Sequence, residues 1–196
     1  MRVVVAFYRY AFFTSGGTVR PNRSPGPDEG PAGLTPIPGP PGKGPHMKAG
    51  DHAPDFTLSD DQGRERTLSG LLADGPVVLF FYPLASSGGC TQESCHFRDL
   101  AAEFAEVGAQ RVGISADPVE KQRTFSENNA FDYPLLSDPK GVVAKQFDAK
   151  RSWLPALPVK RRTFVIDTDR TVLEVITGEM RFDEHADSAL ATLRKR

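Results

Sequence analysis

The sequence predicts an α/β fold in which helices flank a central mixed β-sheet. Continuous apolar runs, which are typical of strands covered on both faces of a sheet, alternate with stretches of helical spacing. A strand hairpin and a last helix follow near the C-terminus. Parallel crossovers followed by an antiparallel pair of strands produce such a mixed sheet.

The expected elements can be assigned in order. Residues 56–58 belong to an extended arm or short hairpin with a turn at 61–63, and a helical turn follows near residues 68–72. The remaining elements are a buried strand within 76–83, a helix over 91–107 that stops at Gly108, a strand over 110–117, a helix over 118–128, a loop with a strand-like centre over 132–141, a short helix over 142–149, hairpin strands over 164–166 and 172–176, and a final amphipathic helix over 183–196. The thioredoxin-like fold is one arrangement with this order.

The composition limits the classes of function. A chain of 196 residues, 39% of them hydrophobic, is long enough to bury a sizeable core. Lys and Arg number 24 against 25 Asp and Glu, so nothing indicates a nucleic acid or a membrane as a partner. Two cysteines are too few for a disulfide scaffold. We expect a cytoplasmic protein, monomeric or alternatively dimeric.

The first 46 residues differ in composition from the rest. Proline and glycine dominate residues 20–46, and such a segment cannot bury enough apolar surface to fold. We therefore predict a disordered extension over residues 1–46 and a folded domain over residues 47–196. The alternatives for the extension are a secretion signal and a natural start of the chain at Met47.

Both cysteines lie just after the first buried strand, in the stretch FYPLASSGGCTQESCHFRDL. Cys90 follows the loop Ser86-Ser87-Gly88-Gly89 and is expected at a helix start, where unpaired N–H groups and the helix dipole stabilise an anion. These features favour the thiolate, which is the nucleophilic form of cysteine. The two glycines would give this loop flexibility and let backbone N–H groups approach a small substrate.

Cys95 lies five positions further along the same predicted helix. On an ideal helix this spacing separates the Cα atoms by ~8.6 Å, whereas a disulfide needs about 7 Å or less. The two sulfurs can therefore bond only if the first turns unwind, which argues for a redox couple with a conformational step. The segment TQES has few apolar anchors, so we expect unwinding to cost little. The alternative is that Cys95 is an ordinary core cysteine.

Other candidate residues give weaker signals. A zinc site that includes both cysteines and His96 lacks a fourth ligand at a recognisable spacing. Arg161 and Arg162 open a predicted strand, where cations are usually solvated, but one of them could point inward and stabilise the thiolate. The histidines are scattered and are interpreted as solvated or packed imidazoles: His52, His96 and His185.

These residues resemble the peroxiredoxins, most closely the bacterioferritin-comigratory or peroxiredoxin Q branch of the AhpC/TSA-like family. The resemblance spans nearly all of residues 47–196 and rests on the segments GDHAPDFTLSDDQG, FYPLASSGGCTQESCHFRD and KRRTFVIDTD. The family motif Pro-x3-Thr/Ser-x2-Cys falls on Pro83, Ser87 and Cys90. Ser87 stands where threonine is commoner, and Gly88 stands where proline is usual.

The resemblance implies a thioredoxin-dependent peroxidase in which Cys90 is the peroxidatic and Cys95 the resolving cysteine. The Cys90 thiolate would reduce hydrogen peroxide or an organic hydroperoxide and become a sulfenic acid. Cys95 would condense with it, and a thioredoxin-type dithiol would reduce the resulting disulfide. The family arginine lies three residues before the strand aromatic, which selects Arg161 over Arg162.

The same resemblance implies how the peroxide is held. Ser87, the Cys90 backbone N–H and Arg161 would bind the peroxide oxygens and stabilise the leaving charge. Pro83 would shield the sulfur from water. No metal, flavin or haem is required.

Two other interpretations stay open. A thioredoxin-like thiol–disulfide oxidoreductase normally carries Cys-x-x-Cys, which the five-residue spacing does not match. A non-catalytic redox-sensing module would keep the fold and transmit oxidation of Cys90 to a partner. Consumption of hydrogen peroxide with a thioredoxin couple distinguishes these alternatives.

Overall fold

A computed structural model describes residues 46–151 and 157–196 of the chain. The predicted extension therefore lies, apart from His46, outside the described residues. His46 pairs with Asp148, and Met47 packs against one of the two core clusters.

A mixed sheet of seven strands forms the centre of the described part. The strands are β1 (Thr57–Asp60), β2 (Glu65–Thr67), β3 (Val77–Phe81), β4 (Gln110–Ser115), β5 (Leu135–Ser137), β6 (Arg162–Ile166) and β7 (Val172–Thr177). They lie in the order β2-β1-β5-β4-β3-β6-β7. The strands β3, β4 and β5 are mutually parallel, and the other neighbouring pairs are antiparallel. This confirms the predicted α/β fold with a mixed sheet.

The helices pack on the two faces of this sheet, as α1 (Leu68–Leu72), α2 (Gly88–Asp99), α3 (Ala101–Glu106), α4 (Val119–Asn129), α5 (Val142–Gln146) and α6 (Glu184–Leu193). The prediction of one helix over 91–107 was wrong, because the chain leaves helical geometry at Leu100, where φ is −92° and ψ is 23°. The Leu100 carbonyl still accepts from Phe104 N at 3.1 Å, so the apolar spacing continues through the break.

Several helix boundaries also differ from the predicted ones, and α5, for example, ends at Gln146 rather than at residue 149. α4 begins at Val119, and Pro118 is its N-cap residue rather than part of its first turn. α6 ends at Leu193, so the basic residues 194–196 follow the helix instead of forming its last turn. Helix ends fray, and apolar periodicity does not determine them to within a residue.

The strand β3 is the buried centre of the sheet and positions the cysteines. All five of its side chains are fully buried. Val77, Leu79 and Phe81 belong to the core cluster on one face of the sheet, and Val78 and Phe80 belong to the core cluster on the other face. This two-sided burial explains why its sequence is continuously apolar. Its carboxyl end leads directly toward α2. Within the described residues, no helix has the length and apolarity required to cross a membrane.

Candidate active site

Cys90 lies in the first turn of α2, just beyond the carboxyl end of β3. The chain leaves β3 through the buried residues Tyr82 and Pro83, turns at Ser86 with a φ of 66°, and enters the helix at Gly88. Cys90 is only 1% exposed and belongs to the same core cluster as Val78 and Phe80 of β3. The sulfur is therefore nearly withdrawn from solvent while it lies close to a helix N-terminus.

The two glycines before Cys90 do not form the predicted flexible loop. Gly88 and Gly89 are the first residues of α2, and Ser86 instead adopts the left-handed conformation. A Cβ atom on Gly89 would lie 2.5 Å from Cζ of Phe182. Any side chain at position 89 would therefore displace the Phe182 ring, a contact that the local sequence does not reveal.

Ser87 is the N-cap residue of α2, but its side chain does not cap the helix. Its hydroxyl donates to the Leu84 carbonyl at 3.0 Å, and its own carbonyl accepts from Thr91 N at 2.8 Å. The first turn of α2 contains no acidic residue. The positive end of the helix is therefore left available to an anion.

Four contacts hold the Arg161 guanidinium next to Cys90. Its Nη2 lies 3.4 Å from Cys90 Sγ, and its Nε donates to the Glu179 carbonyl at 3.1 Å. Its Nη1 donates to Glu93 Oε2, and the centroid of the Phe182 ring lies 4.8 Å from Cζ. Arg161 is 5% exposed, so a fixed positive charge lies beside the sulfur, shielded from water. This arrangement stabilises a thiolate.

The neighbouring Arg162 points away from this site. Successive side chains of a strand point to opposite faces, and Arg162 Nη1 lies 3.0 Å from Asp148 Oδ2. Of this pair of cations, the structure brings Arg161 to Cys90.

Glu93 is a site residue that sequence reasoning missed. Its side chain is fully buried, and its Oε2 accepts a hydrogen bond from Arg161 Nη1. Burial raises the pKa of Glu93 to about 8, because desolvation of the carboxylate outweighs its attraction to Arg161. A signal was available, since a residue three positions after Cys90 lies on the same face of a helix.

The burial of Glu93 also corrects the expectation that the TQES segment unwinds at little cost. Glu93 and Ser94 are both fully buried, and the Tyr133 hydroxyl donates to the Ser94 carbonyl at 2.7 Å. The segment is anchored by hydrogen bonds instead of apolar side chains. Hydrophobicity alone therefore underestimates how firmly it is held.

His185 is a second missed residue and lies at the start of α6. Its imidazole is fully buried, so of the two predicted alternatives, solvated or packed, it is packed. Its Nε2 lies 2.9 Å from the Gly178 carbonyl, and its Nδ1 lies 2.8 Å from Thr163 Oγ1. Its Nδ1 lies 3.8 Å from Glu93 Oε1. Burial lowers the pKa of His185. Its position four residues before the buried Ala189 placed it on the apolar face of the helix.

Cys95 lies on the next turn of α2 and is half-buried. Its Sγ is 3.8 Å from Asn129 Oδ1, and both cysteines are free thiols. Because α2 contains both of them, the ideal Cα separation of ~8.6 Å exceeds the limit for a disulfide. Within residues 46–151 and 157–196, no group of three or more His, Cys, Asp and Glu side chains could hold a metal ion.

Asp117 anchors the segment that joins β3 to α2. Its Oδ2 accepts from Ala85 N at 2.7 Å and from Ser115 Oγ at 2.8 Å. Lys121 pairs with its other oxygen at 2.6 Å. The buried carboxylate thus fixes the backbone just before Ser86, and with it the approach to Cys90.

Comparisons with known proteins identify the family of the chain. The family model described as the AhpC/TSA family matches residues 49–175. The chain belongs to the AhpC/TSA family of peroxiredoxins. The chloroplastic peroxiredoxin Q of Sedum lineare is 35% identical over 145 residues, which are 74% of this chain and 77% of that protein.

Two solved structures extend the comparison. The crystal structure of the peroxidoxin BcpB from Mycobacterium tuberculosis has a TM-score of 0.74 at 64% identity, and the match covers 76% of this chain and 98% of that chain. A structure of peroxiredoxin Q from Xanthomonas campestris has a TM-score of 0.66 at 30% identity, and the match covers 72% of this chain and 90% of that chain. The resemblance to the peroxiredoxin Q branch and the thioredoxin-like fold are thereby confirmed. Peroxiredoxins are thiol-dependent peroxidases, so this peroxiredoxin is an enzyme of that class.

Proposed function

We propose that this peroxiredoxin reduces hydrogen peroxide and organic hydroperoxides through Cys90 and is regenerated through Cys95. The observation that carries the proposal is the 3.4 Å contact between Arg161 Nη2 and the buried Cys90 Sγ. A cation beside a sulfur at the positive end of α2 favours the thiolate, and the thiolate is the form that attacks a peroxide.

In the first step the thiolate attacks the terminal oxygen of the peroxide. An S–O bond forms and the O–O bond breaks, so Cys90 becomes a sulfenic acid and the leaving oxygen takes up one proton. Arg161 and the Cys90 backbone N–H stabilise the charge on that oxygen. The Ser87 hydroxyl, which donates to Leu84, keeps its lone pairs free to accept from the peroxide O–H. Buried Pro83 limits the access of water.

In the second step the Cys95 thiol attacks the sulfenic sulfur of Cys90. An S–S bond forms and water leaves, so the product is an intramolecular disulfide. The first turns of α2 unwind for this step, and Glu93 leaves its buried position with them. A dithiol donor of the thioredoxin type then restores both thiols by exchange.

We further propose that residues 47–196 are the functional domain and that the protein works in the cytoplasm as a monomer. The family match over residues 49–175 lies entirely inside this domain. Cytoplasmic reductants keep thiols reduced, which the cycle needs in order to restart. Every group in the proposed cycle is supplied by the chain, the peroxide or the dithiol donor.

Exchange of each cysteine for serine tests the proposal. Cys90→Ser should abolish consumption of peroxide, whereas Cys95→Ser should consume about one equivalent, because a sulfenic acid needs only one thiolate. Mass spectrometry after one equivalent of hydrogen peroxide locates the added oxygen. Oxidation of Cys95 in the Cys90→Ser protein, as fast as that of Cys90 in the unchanged enzyme, would reverse the assignment. Stoichiometric oxidation without turnover in a thioredoxin couple would favour a redox-sensing module.

A further inference from the structure

The buried pair formed by Glu93 and His185 leaves one polar atom without a partner. Glu93 uses Oε2 to bind Arg161, while its Oε1 has no hydrogen-bond partner among the described residues. Nδ1 of His185 lies 3.8 Å from that oxygen, and both side chains are fully buried. A buried carboxylate oxygen without a donor is unfavourable, so a proton is expected near it.

The contacts of His185 determine which of its two ring nitrogens can gain or lose a proton. Nε2 lies 2.9 Å from the Gly178 carbonyl, which only accepts, so Nε2 carries a hydrogen in every state. Nδ1 then accepts from the Thr163 hydroxyl when the ring is neutral. When the ring is protonated, the Nδ1 hydrogen donates to Thr163 Oγ1, and Glu93 Oε1 lies 3.8 Å from the same nitrogen. The second proton of His185 therefore lies close to Glu93, whose Oε1 is the nearby charged atom.

The charges around the pair favour a single proton on it. Arg161 faces both side chains, and Glu179 and Glu184 add negative charge near His185. Burial opposes both the imidazolium and the carboxylate, because it lowers the pKa of His185 and raises that of Glu93 to about 8. With no proton on either group, Glu93 Oε1 would be a charged oxygen in the core without a hydrogen-bond donor among the described residues.

We propose that His185 is a positioning residue for peroxide reduction, which holds one proton together with Glu93 and so leaves the charge of Arg161 to Cys90 and the peroxide. The inference rests on the proposed function of Cys90. A fully ionised Glu93 would neutralise Arg161 and weaken its hold on the thiolate and on the leaving oxygen. A protonated pair still accepts a hydrogen bond from Arg161 but carries no net charge.

His185 also fastens the segment that contacts Arg161 from the other side. Its bond to Gly178 holds the residue next to Glu179, whose carbonyl accepts from Arg161 Nε at 3.1 Å. Phe182, in the same segment, covers the guanidinium at 4.8 Å. Loss of the imidazole therefore loosens Arg161 both through Glu93 and through this segment.

Nuclear magnetic resonance of the imidazole nitrogens tests the shared proton without reference to catalysis. The ¹⁵N shifts of His185 should titrate together with Glu93, and Glu93→Gln should change that titration, while the signals of His96 stay the same. His96 is a matched reference, since it joins α2 to α6 at the surface through Asp187 Oδ1 at 2.8 Å. An identical His185 titration in the unchanged and Glu93→Gln proteins would overturn the proposal.

The rate of Cys90 oxidation by hydrogen peroxide tests the positioning role. His185→Phe should lower the second-order rate constant about tenfold, equivalent to one lost hydrogen bond, and His96→Phe should stay within twofold. His185→Gln, which keeps a donor for Gly178, should recover part of the loss. If His185→Phe does not fold, His185→Gln must still react more slowly than His96→Phe. Equal rates in the His185 and His96 variants would refute the role.

The two proposals fail in different ways. If the unchanged enzyme does not consume peroxide, the proposed function is wrong, yet the nitrogen titration still shows whether the proton is shared. If the enzyme consumes peroxide and the His185 variants behave like His96→Phe, only the inference about His185 is wrong.

Discussion

Replacing Glu93 by glutamine should remove a pH dependence of stability that the buried carboxyl creates. Folding raises the pKa of Glu93 from 4.5 to about 8, so between these values the folded state binds a proton that the unfolded state lacks. The free energy of unfolding therefore falls as pH rises through this interval. The lowered pKa of His185 acts in the opposite direction, but only below its unfolded value of 6.5. From pH 6.5 to 8 the loss of the proton held by the Glu93–His185 pair therefore dominates the pH dependence.

The size of the effect follows from one proton. A difference of one bound proton changes the free energy of unfolding by about 1.4 kcal/mol per pH unit. Across pH 6.5 to 8, the unchanged protein should therefore lose ~2 kcal/mol more stability than the Glu93→Gln protein. Glutamine keeps the shape of the side chain and an acceptor for Arg161 but cannot titrate.

Urea unfolding of the reduced proteins at both pH values measures this difference. Ionisable groups remote from Glu93 are the same in both proteins, so their contributions cancel in the comparison. Glu106→Gln is a suitable control, because Glu106 is exposed at the end of α3. If the unchanged and Glu93→Gln proteins lose the same stability between pH 6.5 and 8, Glu93 is already ionised in the folded state and the reasoning from burial is wrong.

Two further predictions concern Arg161 and the helix that bears both cysteines. Arg161→Met should lower the rate constant of Cys90 oxidation about 100-fold, as expected for loss of a preorganised donor, whereas Arg162→Met should change it less than threefold. Equal losses in the two variants would contradict the assignment of Arg161. Disulfide formation should speed hydrogen exchange of the amides from 91 to 97 and leave β3 unchanged. Equal protection of those amides in both redox states would exclude Cys95 as the resolving cysteine.

The fold was predictable wherever one local pattern determines an element. The continuous apolar run of β3 reflects burial on both faces, and the helical turn α1 occupies the residues expected of it. The break between α2 and α3 was not predictable. Phe97 and Phe104 lie on either side of it and belong to the same core cluster, so the apolar spacing passes through Leu100 without a sign of the bend.

The site was predictable only in part. The positions of Cys90 and Arg161 follow from a motif and from strand spacing, and the structure brings them into contact. Glu93 and His185 were missed because the partners that make their burial tolerable are distant in sequence. Glu93 meets Arg161 across 68 positions, and His185 meets Thr163 across 22. Composition and periodicity carry no information about such pairs.

The contacts that activate Cys90 in the proposed cycle also delay its resolution. Glu93 lies in the segment that must unwind, and Phe182 packs against Gly89 in the same turn. While Cys90 is a thiolate, its charge binds Arg161 and the helix N-terminus, an interaction worth up to about 2 kcal/mol at a partly buried helix end. Conversion to a neutral sulfenic acid removes that charge and weakens the first turn of α2. In the proposed cycle, oxidation would therefore lower the barrier to unwinding only after the peroxide has reacted, and the helix would release Cys90 toward Cys95 at the point where the disulfide is needed.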